Sequence, residues 1–232
     1  RYIKGKDRSL DLYTMAIATE LIHDFTQPDV MFVKMCDLDS VRHTDGVYHE
    51  NTKEQLRKHD EEFGVLLETI KRYGDYENTN FMIIGDHGQT DINDVLKINR
   101  LLLNHGFITL NATGEIESFK AFGHSTGLGC LIEVSDPSDN VLLNDVRSFL
   151  ESLKEDPEIA LALVYDAKEA SEKIALEGPF DFVIESTKNI AFNEDLNGDL
   201  IWGSKEPGDH KTGAATHGSC IKDRIEPTTM IA

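Results

Sequence analysis

Three short clusters hold the residues of this 232-residue chain best able to do chemistry. Asp39 and His43 lie four apart, just after an apolar run that ends at Cys36, with Gly46 three residues further on. A carboxylate and an imidazole at the carboxyl end of a strand can converge on one cation, where open α/β sheets take their ligands. Oxygen plus nitrogen ligation suits Zn²⁺ or a similar divalent ion. The same spacing also describes a helix-capping aspartate followed by an exposed histidine. Asp86, His87 and Gly88 follow the apolar residues Met82, Ile83 and Ile84 across the single residue Gly85, so two potential ligands leave a strand together. Gly88 lets the backbone turn tightly behind them, although Asp and Gly also make ordinary strand-ending turns. His217 and Gly218 sit in a Gly-rich loop that begins at Gly213, ahead of an apolar carboxyl end.

The elements that must position these clusters can be read from periodicity. Leu12, Met15, Ala16, Ala18, Leu21 and Ile22 predict a helix over residues 10–25, stopped by Pro28. Residues 29–36 read as a mostly buried strand. Residues 50–73 read as a polar helix with a stripe at Leu56, Phe63, Leu66, Leu67 and Ile70, ended by Gly74. Residues 81–84 form a second short strand, and Asp91 serves as N-cap of a helix that runs to Asn104 and closes at Gly106. Strands follow over 107–110, 117–122, 130–134, 160–165 and 180–185, with helices over 139–154 and 167–174. The alternation predicts an α/β fold, a three-layer αβα sandwich on a mostly parallel sheet. One domain covers residues 1–232, with a smaller α+β subdomain over about 107–200.

Composition narrows the function classes. The formal net charge is −19 with 23 basic residues and no long basic run, which argues against a nucleic-acid-binding surface. An acidic protein can still take phosphate substrates if bound cations reverse the local field. No segment approaches the ~20 apolar residues of a membrane span. Cys36, Cys130 and Cys220 cannot form a disulfide framework. Cys36 and Cys130 read as buried thiols, and the odd count tilts an otherwise open compartment toward the cytoplasm. The chain opens on Arg1 and closes on Ile231 and Ala232, which look like cuts through a longer protein.

Taken in order, the clusters resemble the type I phosphodiesterase/nucleotide pyrophosphatase family of the alkaline-phosphatase superfamily. That family carries D-x-x-x-H-x-x-G, then an apolar strand into D-H-G, then a late H-G before a final strand with P-T. Here the matching residues are Asp39, His43 and Gly46; Asp86, His87 and Gly88; His217 and Gly218; and Pro227 and Thr228. The resemblance extends through residues 101–109 and 178–184, so it spans nearly the whole chain. It implies an alkaline-phosphatase-like fold and hydrolysis of phosphodiester or pyrophosphate bonds in small nucleotide-like substrates. It further implies two divalent ions, Zn²⁺ first and Mn²⁺ as the alternative. Asp39, His43 and His217 would bind one, and Asp86 and His87 the other. Two such ions about 4 Å apart clamp the phosphoryl oxygens in an in-line displacement. The family's Thr or Ser nucleophile comes from a segment upstream of the first motif, so this chain is expected to supply most metal ligands but no nucleophile, and by itself to be nearly inactive. Arg42 stands where eukaryotic members usually carry Gly.

Other readings stay open at this point. The same centre could serve a phosphomonoesterase, a phosphonate hydrolase or a sulfatase, or the chain could be a non-catalytic binding domain stabilised by metal. His210 is a candidate contact for substrate phosphate. Asp37 and Asp45 read as turn carboxylates, His124 and Ser125 as a structural turn, and His23, His49, His59 and His105 as surface residues.

Overall fold

The computed structural model describes residues 9–187 and 189–220, and the backbone of residues 230 and 231. The family-motif residues Pro227 and Thr228 lie outside the described residues. Three helices come first: α1 (Leu10–Asp24), α2 (Asp37–Asp45) and α3 (Glu50–Tyr73). α1 begins where the Ser9 hydroxyl accepts the Leu12 N–H at 3.0 Å. Met15, Ala18 and Ile22 on one face of α1 meet Leu66 and Ile70 on the apolar stripe of α3. Burying each of the Met, Ile and Leu side chains contributes roughly 1.5–3 kcal/mol.

Between α1 and α2 the strand predicted over residues 29–36 forms no ladder with the described residues. Its alternation is present all the same. Met31, Val33 and Met35 pack onto the α1–α3 cluster, while Phe32 turns away and is 93% exposed. Alternating burial needs only one neighbouring surface, whereas a strand also needs a partner backbone. Cys36, expected to be buried in that strand, is half-buried and stands at the head of α2.

After α3 the chain alternates in short pieces. β1 (Ile83–Ile84) precedes β2 (Thr90–Asp91), β3 (Asp94–Lys97) and α4 (Ile98–Asn104). The helix predicted from an Asp91 cap therefore begins six residues late. Val95 and Leu96 are buried in a ladder instead, and the Asp91 carboxylate accepts the Val47 N–H at 2.7 Å. A short apolar run is compatible with strand or helix, and here a waiting partner strand decided it.

β4 (Ile108–Leu110) and β5 (Ile116–Phe119) form an antiparallel pair. Next come β6 (Ala121–Ser125), β7 (Gly129–Val134), α5 (Asn140–Ser152), β8 (Leu161–Asp166), α6 (Ala167–Ile174) and β9 (Phe182–Ser186). The four strands make one antiparallel sheet in the order β6-β7-β9-β8. Alternation sends Ile132, Phe182 and Ile184 to the face shared with Val146 and Leu150 of α5. Leu131 and Val183 go to the opposite face with Ala170 of α6. Leu161 and Val164, three apart, share the first face because the register shifts between Leu161 and Leu163.

β10 (Ile190–Asn193) returns to lie parallel to β3, which β11 (Trp202–Gly203) flanks antiparallel. β12 (Ala215–Thr216) pairs with β2, and β13 (Met230–Ile231) with β1, both antiparallel. The fold is thus mixed α/β with helices on both faces of its largest described sheet. The mostly parallel sheet expected from the sequence is not what the described ladders show, since β10 with β3 is the parallel one among them. Tight connections such as that between β6 and β7 force antiparallel pairing, because a parallel pair needs a crossover of a dozen residues or more. Among the described residues no helix is long and apolar enough to cross a membrane.

Candidate metal centre

α2 carries the first pair of candidate ligands one helical turn apart. His43 is 2% exposed, and its Nε2 lies 3.4 Å from Asp39 Oδ1. On the other side of the ring, Nδ1 lies 2.7 Å from the Ala215 carbonyl oxygen. A carbonyl only accepts, so Nδ1 carries a proton, and in the neutral ring Nε2 is the nitrogen with the lone pair. The backbone closes the same contact, with the Ala214 N–H donating to the His43 carbonyl at 2.6 Å. That approach requires Gly213: a Cβ there would overlap the His43 carbonyl and lie 2.6 Å from the Asp209 carbonyl.

The β2–β12 ladder delivers the other imidazoles. Pairing of Thr216 with Thr90 sets His217 beside the Asp-His-Gly turn, and the His87 and His217 rings lie 3.9 Å apart between centroids. Asp39, His87 and His217 each offer a ligand atom, all within 4.8 Å of one another. The His43 ring is 5.2 Å from that of His217. Four of the five sequence-derived candidates therefore gather at one place, and the compact triad draws His87 in with Asp39 and His217. Asp86 sits beside it, with Oδ2 3.9 Å from His87 Nε2. Its carboxylate pairs with the ammonium of Lys34. His210 is exposed on the rim, its ring 6.1 Å from that of His43.

Electrostatics favour the ligand-ready forms. Burial, then the neighbouring His87 and His43, push the His217 imidazole below its ordinary value. The hydrogen bond from Lys34 holds the Asp86 carboxyl below the usual carboxylate range. The His43 Nε2 is the most telling atom. It is buried, carries a lone pair, and has no hydrogen-bond partner among the described residues. A buried orphan acceptor costs about 1–3 kcal/mol, and here it faces a carboxylate and two further imidazoles. Carboxylate oxygens and imidazole nitrogens suit a divalent ion of the Zn²⁺ type, so the residues present fit the metal that the sequence resemblance implies.

Two participants escaped the sequence reading. Gln89, buried just after the Asp-His-Gly cluster, donates through Nε2 to Asp39 Oδ1 at 3.0 Å and orients that carboxylate. Lys34 is the one charge in the apolar run from Val30 to Cys36, which was its available signal. His124 and Ser125, expected in a structural turn, lie instead in β6, where each is tied up by a contact of its own. The Ser125 hydroxyl donates to the buried Phe192 carbonyl at 2.6 Å, and His124 pairs with Glu133. The Thr216 hydroxyl is buried and donates to the His210 carbonyl at 2.7 Å.

Residues 5–219 match the family model for type I phosphodiesterase/nucleotide pyrophosphatase. No curated protein sequence matches the chain. Two solved structures are similar in fold: murine ectonucleotide pyrophosphatase/phosphodiesterase 5, and an inactive variant of it in complex with AMP. For each, the TM-score is 0.62 at 15% identity, covering 93% of this chain and 50% of the other. The chain thus spans about half the length of the solved structures it matches.

Proposed function

We propose, because this chain belongs to the type I phosphodiesterase/nucleotide pyrophosphatase family, that its clustered carboxylates and imidazoles form the divalent-metal centre of a hydrolase. The bonds cleaved are phosphodiester or pyrophosphate bonds of nucleotide-like substrates. The observation that carries this reading is the convergence of Asp39, His87 and His217 next to the buried, unpartnered Nε2 of His43. The fold likeness to a protein seen with AMP supports a nucleotide-like substrate.

Asp39, His43 and His217, with Asp86 and His87 beside them, would hold two divalent ions, Zn²⁺ or alternatively Mn²⁺. Such ions supply Lewis-acid polarisation and charge neutralisation at a phosphoryl group. The chain's own residues do the rest. Gln89 and Ala215 fix Asp39 and His43, so the ligands are held before substrate arrives. Positive charge at the centre offsets the −19 of the chain, which would otherwise repel a phosphate. His210 projects from the rim, where it can contact a phosphate oxygen. Thr216 Oγ1 is committed to the His210 carbonyl, and Ser40 Oγ lies 3.4 Å from the Cys36 carbonyl. Neither hydroxyl is free to attack, and the family resemblance draws the attacking Thr or Ser from a segment upstream of Asp39, so we assign the nucleophile to neither of them.

The test compares a bis-aryl phosphate with an aryl monophosphate as substrates of the full-length protein, with and without divalent ions. The diester should be the faster substrate, chelation should abolish turnover, and His217→Ala should reduce both metal affinity and rate. Faster cleavage of the monoester would favour a phosphomonoesterase instead. Metal-independent turnover would remove the centre from the mechanism.

A further inference from the structure

α2, the helix that presents Asp39 and His43, starts without a cap of its own, because Cys36 at its N-cap position makes no side-chain bond to the helix. Another helix performs that task. Asp11, in the first turn of α1, is 1% exposed. Its Oδ1 accepts the Cys36 N–H at 2.6 Å and its Oδ2 the Asp37 N–H at 2.9 Å. His59 of α3, read from the sequence as a surface residue, is half-buried with Nε2 2.7 Å from the same Oδ2. The Ser9 hydroxyl adds a bond to the Asp37 carboxylate at 2.6 Å. Three helices therefore meet at one buried carboxylate. It satisfies two of the N–H groups that a helix start leaves unpaired, and it lies at the positive end of the helix dipole. The other end of α2 is fixed where the His43 carbonyl accepts the Ala214 N–H and the His43 ring donates to the Ala215 carbonyl.

We propose that Asp11, backed by His59, is a positioning residue of the metal centre. It sets the start of α2, and thereby where Asp39, two residues beyond the capped Asp37, lies relative to His87 and His217. The inference rests on the reading of that centre given above. A carboxylate buried only to close the fold would cost stability when removed and leave ion affinity untouched. A positioning carboxylate changes the affinity as well, as groups that orient metal ligands do.

The measurement is Zn²⁺ affinity by calorimetry on the whole protein, alongside the thermal midpoint of the metal-free form. Asp11→Asn keeps the size of the side chain but loses its charge and one acceptor. It should weaken Zn²⁺ binding roughly 10- to 100-fold. Asp166→Ala, which removes the helix cap of α6 and so also costs stability, should bind Zn²⁺ as wild type does. Should Asp11→Asn not fold, His59→Gln leaves both amide bonds to Asp11 in place and should show a smaller loss in the same direction. Wild-type affinity in Asp11→Asn, or in His59→Gln where that variant is used, overturns the inference, as does an equal loss in Asp166→Ala. The underlying reading fails separately, if the wild type binds no divalent ion or Asp39→Ala binds it unchanged.

Discussion

His43 is held through Nδ1 by a backbone carbonyl and presents a buried Nε2 with no hydrogen-bond partner among the described residues. Removing the ring should lower Zn²⁺ affinity on the order of 100-fold or more, since losing a ligand exceeds the effect of losing a group that orients one. Chelator competition on His43→Ala checks this, and unchanged affinity would show that the ring only packs. Gly213 allows a second prediction. A methyl group there would overlap backbone carbonyls rather than a flexible side chain, so either α2 or the loop must move. Gly213→Ala should therefore cost about 1–3 kcal/mol in denaturant unfolding and weaken metal binding too. A neutral outcome in both would mean that the loop relaxes freely. Asp39, His43, His87 and His217 were legible as residue types at fixed spacing. Gln89 was not, because its role is to orient Asp39 across a contact 50 residues long in sequence.

Among the elements, α6 is the most self-contained. Asp166 caps it, Glu169 closes a capping box, and Arg147 of α5 binds both carboxylates at 2.8 and 2.7 Å. Lys173, then backbone and Arg147 contacts, lower the Glu169 carboxyl from 4.5 to about 2. A carboxyl lowered by folding contributes stability above its unfolded value and loses it as pH falls through the folded value. The contribution should therefore be complete above about pH 4.5 and fade toward pH 2. Solvent screening reduces its size to on the order of 1–2 kcal/mol. Glu169→Gln should flatten the stability profile across that window, and an unchanged acid limb would assign the transition to other carboxylates. α6 and α3 match the ranges read from sequence, because cap residues and an apolar stripe are local signals. β3 and the segment at 29–36 departed from the reading because a strand exists only by virtue of its partner.

Across the whole molecule, the candidate metal centre brings together α2, the turn after β1 and the residue that follows β12. An ion bound there stabilises all three at once. With Zn²⁺ at 100 times its dissociation constant, the linkage is worth about 2.7 kcal/mol. Chelation should accordingly lower the thermal midpoint, and the shift should vanish in Asp39→Ala. An equal midpoint with and without chelator would mean that no ion bridges these elements. By itself the sequence determined helices α1, α3, α5 and α6, the α/β class, the family and the identity of the ligand-type side chains. Each of those is written in local periodicity or in a short motif. Only the tertiary structure decided the antiparallel order of the main sheet, the company His87 keeps with Asp39 and His217, and the cap that Asp11 lends to a helix 26 residues away. These are pairings between distant segments, and their energy depends on which surfaces meet in space, which residue type and spacing do not encode.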